Sequence, residues 1–161
     1  MYDFNLPIGF YICYKFDFYE VVEGDDCRAC AFYGNCPKEI LGDCPGPYLS
    51  QGRPAIFVSV KRPESGILRA QRFEYANHCC EYCHKPISGM NAHWHHVIDR
   101  DYGRRDKYEC FESTRALGHD CHEGKNKGTV LQFYRKEVDE WLLLQYSDDD
   151  TRTITGRGLH V

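Results

Sequence analysis

From Ile8 to Val22 the chain reads IGFYICYKFDFYEVV, dense in aromatic and β-branched residues, with Lys15, Asp17 and Glu20 as polar interruptions. Side chains of this kind suit a pleated, half-buried surface, so the segment predicts one long strand or a bent one. Glu23-Gly24-Asp25-Asp26 supplies a turn, and Pro54 to Lys61 (PAIFVSVK) predicts a second strand that Pro63 closes. The period then changes. Ile67, Leu68, Ala70, Phe73 and Tyr75 recur among basic and polar residues over Ser65–His78, which suits a short helix with Ser65 near its cap. Cys79 to Cys121 is turn-rich, with a strand expected around Ala92–Ile98. A helix is expected to begin near Asp120, although Gly124 and Gly128 weaken its continuity. Over Thr129–Tyr146, Val130, Phe133, Tyr134, Val138, Trp141, Leu142 and Tyr146 fall at helical spacing, the pattern of an amphipathic helix laid on a core. From Ser147 (SDDDTRTITGRGLHV) no apolar period remains, and a flexible tail is expected.

The 161 residues leave room for one ordinary domain or two small ones. With 42% hydrophobic and 27% charged residues, the composition is that of a folded chain and excludes a disordered one. The longest aliphatic run, Trp141-Leu142-Leu143-Leu144, falls far short of the roughly 20 residues of a membrane span. Met1-Tyr2-Asp3-Phe4 has neither the basic nor the apolar region of a secretory signal. These features lead us to expect a cytoplasmic protein without membrane association. In such a compartment ten cysteines suit metal binding better than disulfides, which remain the alternative.

The net charge of -4 conceals a basic middle: residues 66–136 carry +3, whereas 1–65 and 137–161 carry -3 and -4. That distribution permits a nucleic-acid partner without requiring one.

Two groups of cysteines carry metal-ligand spacing. Cys27-x2-Cys30-x5-Cys36-x7-Cys44 places four thiolates within eighteen residues, among turn-forming Gly34, Pro37, Gly42 and Pro45. Four thiolates suit a closed, structural zinc site; an iron–sulfur cluster would use the same ligands. In the middle segment Cys80-Glu81-Tyr82-Cys83 has the spacing of a zinc knuckle. His95-His96 begins twelve residues after Cys83, and Cys121-His122 stands 25 residues beyond His96.

In order and separation these pieces resemble the HNH endonuclease family, over residues 66–130 or so. That family commonly reads Cys-x2-Cys, then Asp-His or His-His with an apolar residue, then Asn-Leu-x2-Leu-Cys-x2-Cys-His-x2-Lys. Here the corresponding stretches are Cys80-x2-Cys83, His95-His96-Val97-Ile98, and Ser113-Thr114-Arg115-Ala116-Leu117-Gly118-His119-Asp120-Cys121-His122-Glu123-Gly124-Lys125. The resemblance implies an α+β fold: a zinc-stabilised ββα-metal core (65–146, with the amphipathic helix at its C-terminal end), preceded by a small β-rich four-cysteine region (1–64) and followed by the tail (147–161). It also implies a phosphodiester hydrolase acting on DNA, of the kind found in phages and mobile elements.

By this resemblance His95 and His122 hold a catalytic divalent ion (Mg2+, Mn2+, Ni2+ or Zn2+), and His96 is the general base. A neutral imidazole near pH 7 suits that task. Asn126, four residues past His122, would complete the ion's ligands if the helix continues. Neighbours on a regular strand face opposite ways, so the strand must bend or end at His95-His96; otherwise His93, of the same parity as His95, is the substitute ligand. Arg100, Arg104, Arg105, Lys107, Lys125 and Lys127 are candidate phosphate contacts.

Two positions depart from the family. Ser113 stands where an asparagine helps orient the base, and a hydroxyl lacks the amide's paired donor and acceptor. Gly118 stands where a third structural cysteine belongs, so Cys80, Cys83 and Cys121 need another fourth zinc ligand, with His119, Cys110 or Cys79 as candidates. These departures leave a second reading open: a zinc-stabilised module that binds nucleic acid or protein without cutting.

Overall fold

Lys15 and Phe16 both take left-handed backbone angles (φ 52° and 62°), and there the N-terminal aromatic run folds back on itself. The segment expected as one long strand or a bent one is therefore a hairpin of β1 (Tyr11–Tyr14) and β2 (Asp17–Glu23), with Tyr14 paired to Asp17. A two-residue turn with both φ positive matches the twist of paired strands, which the uninterrupted β propensity of the segment conceals. The computed structural model describes residues 6–38, 52–98 and 108–156, and the backbone of 48–50. Its architecture is mixed α+β, and the chain divides into two units, 1–63 and 64–161.

In the first unit β3 (Tyr48–Ser50) and β4 (Arg53–Val60) join the hairpin in one antiparallel sheet of order β1-β2-β4-β3. Ile12, Cys13, Phe18, Val21, Ala55, Ile56 and Phe57 are buried in it, with Phe32 added from the cysteine-bearing loop. The Phe32 ring lies 4.4 Å from that of Tyr19 and 5.5 Å from that of Phe57. Alongside it the Ala31 amide donates to the Phe57 carbonyl at 2.7 Å.

The second unit contains α1 (Ser65–Tyr75), an antiparallel hairpin of β5 (Ala92–His96) and β6 (Thr114–Gly118), and then α2 (His119–His122), α3 (Lys127–Leu143) and α4 (Asp148–Thr155). Leu68, Ala116, Leu117, Val130, Val138 and Leu142 are fully buried, and Tyr134 nearly so. On α3 the buried positions Val130, Tyr134, Val138 and Leu142 recur every four residues, one stripe of the helix. Phe133, expected on that stripe, is half exposed.

The helix expected to begin near Asp120, with its continuity weakened by Gly124 and Gly128, breaks between α2 and α3. The Glu123 and Gly124 amides both turn back to the His119 carbonyl, at 2.8 and 3.2 Å. A Cβ at position 124 would stand 2.6 Å from the Asp120 carbonyl oxygen, so only glycine allows this closure. The segment from Ser147, expected as a tail, forms α4, with Thr151, Ile154 and Thr155 buried. The Ser147 hydroxyl accepts from the Asp150 amide, three aspartates occupy the first turn where the helix dipole favours them, and Gly156 closes the end with φ 68°. Among the described residues no helix is long and apolar enough to cross a membrane.

Candidate active site and cysteine centre

Strand alternation sorts the aromatic side chains of β5 into two sets. His93 and His95 face α2: the His93 ring stacks on that of His122 at 4.6 Å and lies 5.4 Å from that of His119. The His95 ring meets His122 edge-on at 5.2 Å. Trp94 and His96 form the other set, with their rings 4.6 Å apart. The strand ends at His96, and both His95 and His96 line one cavity of about 190 Å3 together with His122.

Burial is the main force on His95, holding its pKa down to about 3, with His122, His96, Arg115 and Arg135 adding positive potential. His122 is lowered as well, again chiefly by burial, while its neighbour Glu123 opposes the shift. Both rings are therefore neutral near pH 7, the form in which imidazole donates to a metal. His93 Nε2 is buried without a hydrogen-bond partner. His122 Nδ1 is likewise buried without a hydrogen-bond partner of good geometry, and three imidazoles with two such nitrogens make a donor set that fits a nitrogen-preferring ion. Ring rotation is needed to aim them at one point, because the nitrogens are not gathered within 4.8 Å of one another as the sulfurs described below are.

His96 is held from the opposite side. Its Nε2 lies 2.7 Å from Glu109 Oε2, and the side chains are only 10% and 4% exposed. Glu109 also accepts from the hydroxyl of Ser65, the first residue of α1, whose N-cap position belongs to Glu64. An ionised carboxylate can only accept, so Nε2 carries the proton and Nδ1 the lone pair. Ser113 acts on the loop that bears Glu109: its hydroxyl donates to the Tyr108 carbonyl at 2.6 Å and accepts from the Cys110 amide at 3.2 Å. Its own carbonyl receives the Val97 amide at 2.9 Å, tying the loop to the residue after His96.

The remaining walls of the cavity are Val97, Glu123, Lys127, Leu131 and Arg135. Lys127, Leu131 and Arg135 lie at four-residue intervals on α3 and so share one face of it. Lys127 pairs with Glu123 at 2.8 Å, and His122 Nδ1 lies 2.8 Å from the same carboxylate. Asn126 sits across the helix break as the residue preceding α3, so it lacks the one-turn relation to His122 on which its role depended. Lys125 is exposed; Arg100, Arg104, Arg105 and Lys107 lie outside the described residues.

Cys80, Cys83 and Cys121 bring their sulfurs within 4.8 Å of one another. Burial acts to raise the pKa of the Cys80 thiol, but amides of Gly118, Cys83 and Tyr82 point at its sulfur and bring the net shift downward. Burial and the two neighbouring sulfurs push the Cys121 thiol up to about 12. Three cysteine sulfurs this close form a set that could hold a metal ion, whose charge would favour the thiolate form of each. Neither His119 nor Cys110 belongs to it: the His119 ring is turned toward His93, and Cys110 Sγ lies 3.5 Å from Ser113 Oγ. Cys79 stands apart in a bridge to Pro86.

The knuckle is anchored by Glu81. Its amide donates to the Ala116 carbonyl at 2.9 Å, and its carboxylate accepts the Ala116 amide at 2.5 Å, so the knuckle continues the β6 edge. The same carboxylate pairs with the buried Arg72 of α1, whose Nε donates at 2.8 Å. Arg72 also donates to the Phe111 carbonyl and lies 4.2 Å above the Phe111 ring.

In the first unit Cys27 and Cys30 bracket a single 3-10 turn capped by Asp26, and Cys36 is exposed with its thiol directed at the Phe32 carbonyl. These three are not gathered as Cys80, Cys83 and Cys121 are, and Cys44 lies outside the described residues. Among the described residues no cysteine is joined in a disulfide.

Sequence reasoning missed Glu109 and Arg135. Glu109 lies thirteen residues from His96 in a turn-rich stretch and carries no local signal. Arg135 could have been found from its eight-residue separation from Lys127 on one helix face. Among models of protein families, curated proteins and solved structures, none matches this chain.

Proposed function

We propose that the protein is a metal-dependent endonuclease of HNH type that hydrolyses phosphodiester bonds in DNA. The observation that carries this reading is the meeting of His95, His96 and His122 at one cavity rimmed by Lys127 and Arg135. Phosphodiester hydrolysis needs an activated water, neutralisation of charge on the phosphate, and help for the departing oxygen. His96 takes the proton from water at Nδ1, while Glu109 stabilises the imidazolium that forms. Lys127 and Arg135 hold the phosphate without reading bases. His95 and His122 would hold a divalent ion, with His93 as the nearest third donor; that ion supplies Lewis-acid stabilisation of the phosphate and the leaving oxygen. Because these donors are imidazoles, Zn2+, Ni2+ or Co2+ suits them better than Mg2+.

The test is incubation of the full chain with supercoiled plasmid and each of these ions in turn. Cleavage with the nitrogen-preferring ions, abolished in a folded His96→Ala variant, is the expected result. Equal cleavage by both proteins refutes the assignment of the base. DNA binding that survives chelation, with no cutting under any ion, establishes the non-catalytic module instead.

A further inference from the structure

Independently of the cleavage chemistry, we infer that Cys80, Cys83 and Cys121 form a three-thiolate metal site whose fourth coordination position, beside Gly118, is open to an exchangeable small donor. Structural zinc sites are four-coordinate. Among the described residues no fourth histidine, cysteine, aspartate or glutamate joins these sulfurs.

Position 118 is where the missing side chain would stand. It immediately precedes α2 and lies three residues before Cys121, and its amide already points at the Cys80 sulfur. A Cβ built there falls 3.8 Å from the Cys80 Cβ, 3.8 Å from Asn91 Oδ1 and 3.2 Å from Ile87 Cγ2. The backbone does not demand glycine, since φ is -77° and ψ 159°, angles open to any residue. Glycine at 118, itself buried, therefore leaves a corner of the site without a protein donor, and the tight neighbour of an added carbon is the Cγ2 methyl of buried Ile87, which would have to give by a few tenths of an ångström.

Asn91 Oδ1 gives that corner a polar wall. It accepts the His119 amide at 2.9 Å and keeps a second lone pair, suited to a metal-bound water or the proton of an incoming thiol. Cys83 is half-buried, whereas Cys80 and Cys121 are buried, so access is from the Cys83 side. The donor that fits is small and either neutral or singly charged: water, hydroxide or a low-molecular-weight thiolate. A site of this kind also favours soft, thiophilic ions over magnesium or calcium.

Cadmium NMR of the cadmium-loaded full chain tests this, because the resonance moves with the number of bound thiolates. Cys27→Ser/Cys30→Ser in the same chain identifies any signal from the first unit. The expected spectrum has a resonance for three thiolates and one oxygen that shifts when β-mercaptoethanol is added. Gly118→Cys moves it to the four-thiolate position and abolishes the response to thiol. It also slows zinc loss to EDTA by roughly tenfold or more. Gly118→Ala, which fills the space without a donor, keeps the three-thiolate signal. A wild-type resonance already at the four-thiolate position, one carrying a nitrogen donor and insensitive to thiol, or no cadmium at these cysteines overturns the inference. The wild-type thiol titration decides the matter even if Gly118→Cys does not fold.

Discussion

Replacing Glu109 with glutamine keeps the shape of the side chain and removes its charge, which isolates what the carboxylate does for His96. The two groups lie 2.7 Å apart and are almost fully screened from solvent, so the hydrogen bond strengthens as the imidazole gains its proton. Loss of a hydrogen bond to a charged group costs about 1.5–3 kcal/mol, or roughly a 10- to 100-fold slower rate. A second effect adds to this. The amide introduced by Glu109→Gln can donate to Nε2, forcing the proton to Nδ1 and turning the lone pair away from the water. Full loss of general-base action then sets the upper bound, on the order of 10⁴-fold. Single-turnover plasmid cleavage measures the loss, and the acid limb of its pH profile should move to lower pH. Ser65→Ala, which removes a bond to Glu109 and leaves the charge, should have a smaller effect. Unchanged rate and pH profile in a Glu109→Gln protein with an intact circular dichroism spectrum would refute the coupling of Glu109 to His96.

Other predictions concern stability. Glu81→Ala leaves the Arg72 guanidinium buried without its partner and should cost about 3–5 kcal/mol, whereas Arg72→Met/Glu81→Leu should cost much less; denaturant titration compares them. His95 is neutral in the fold down to about 3 but protonates near 6.5 when unfolded, so the unfolded chain binds the extra proton. Stability of the chelator-treated protein should therefore be complete above about 6.5 and fall as pH drops toward 3, by up to ~1.4 kcal/mol per unit. The decline should be shallower in His95→Gln, and an equal decline in both proteins excludes His95 as its source. Cys83→Ser should lower the zinc content by one atom per chain and lower the melting temperature; unchanged zinc by elemental analysis rejects a metal at that centre.

Local structure was legible where burial follows period. The α3 stripe shows one face in the sequence, and the structure buries Val130, Tyr134, Val138 and Leu142 of it. The α1 helix follows its pattern only at Leu68 and Phe73, leaving Ile67, Ala70 and Tyr75 exposed and burying Gln71 and Arg72 instead, and β4 buries the consecutive Ala55, Ile56 and Phe57. The turn at Lys15-Phe16 was not legible, since neither residue ordinarily signals positive φ. Nor was α4, which buries a single large apolar residue, Ile154, and depends instead on its serine cap and acidic first turn. At the candidate site the cysteine spacing indicated which three sulfurs gather, because a knuckle and a helix start are local geometries. Glu109 escaped notice because its pairing with His96 is made only by tertiary folding. Asn126 was expected on the assumption of a continuous helix, which the close approach at Gly124 interrupts.

The sorting of β5 into two faces restricts how this chain can change length. Adding or removing one residue within that strand would turn the imidazoles now beside His122 toward Glu109, and send His96 the other way. A change of two residues would preserve their orientation. Length variants of β5 should therefore divide by parity: odd changes exchange which histidines meet α2, and even changes leave the pairing with Glu109 geometrically accessible.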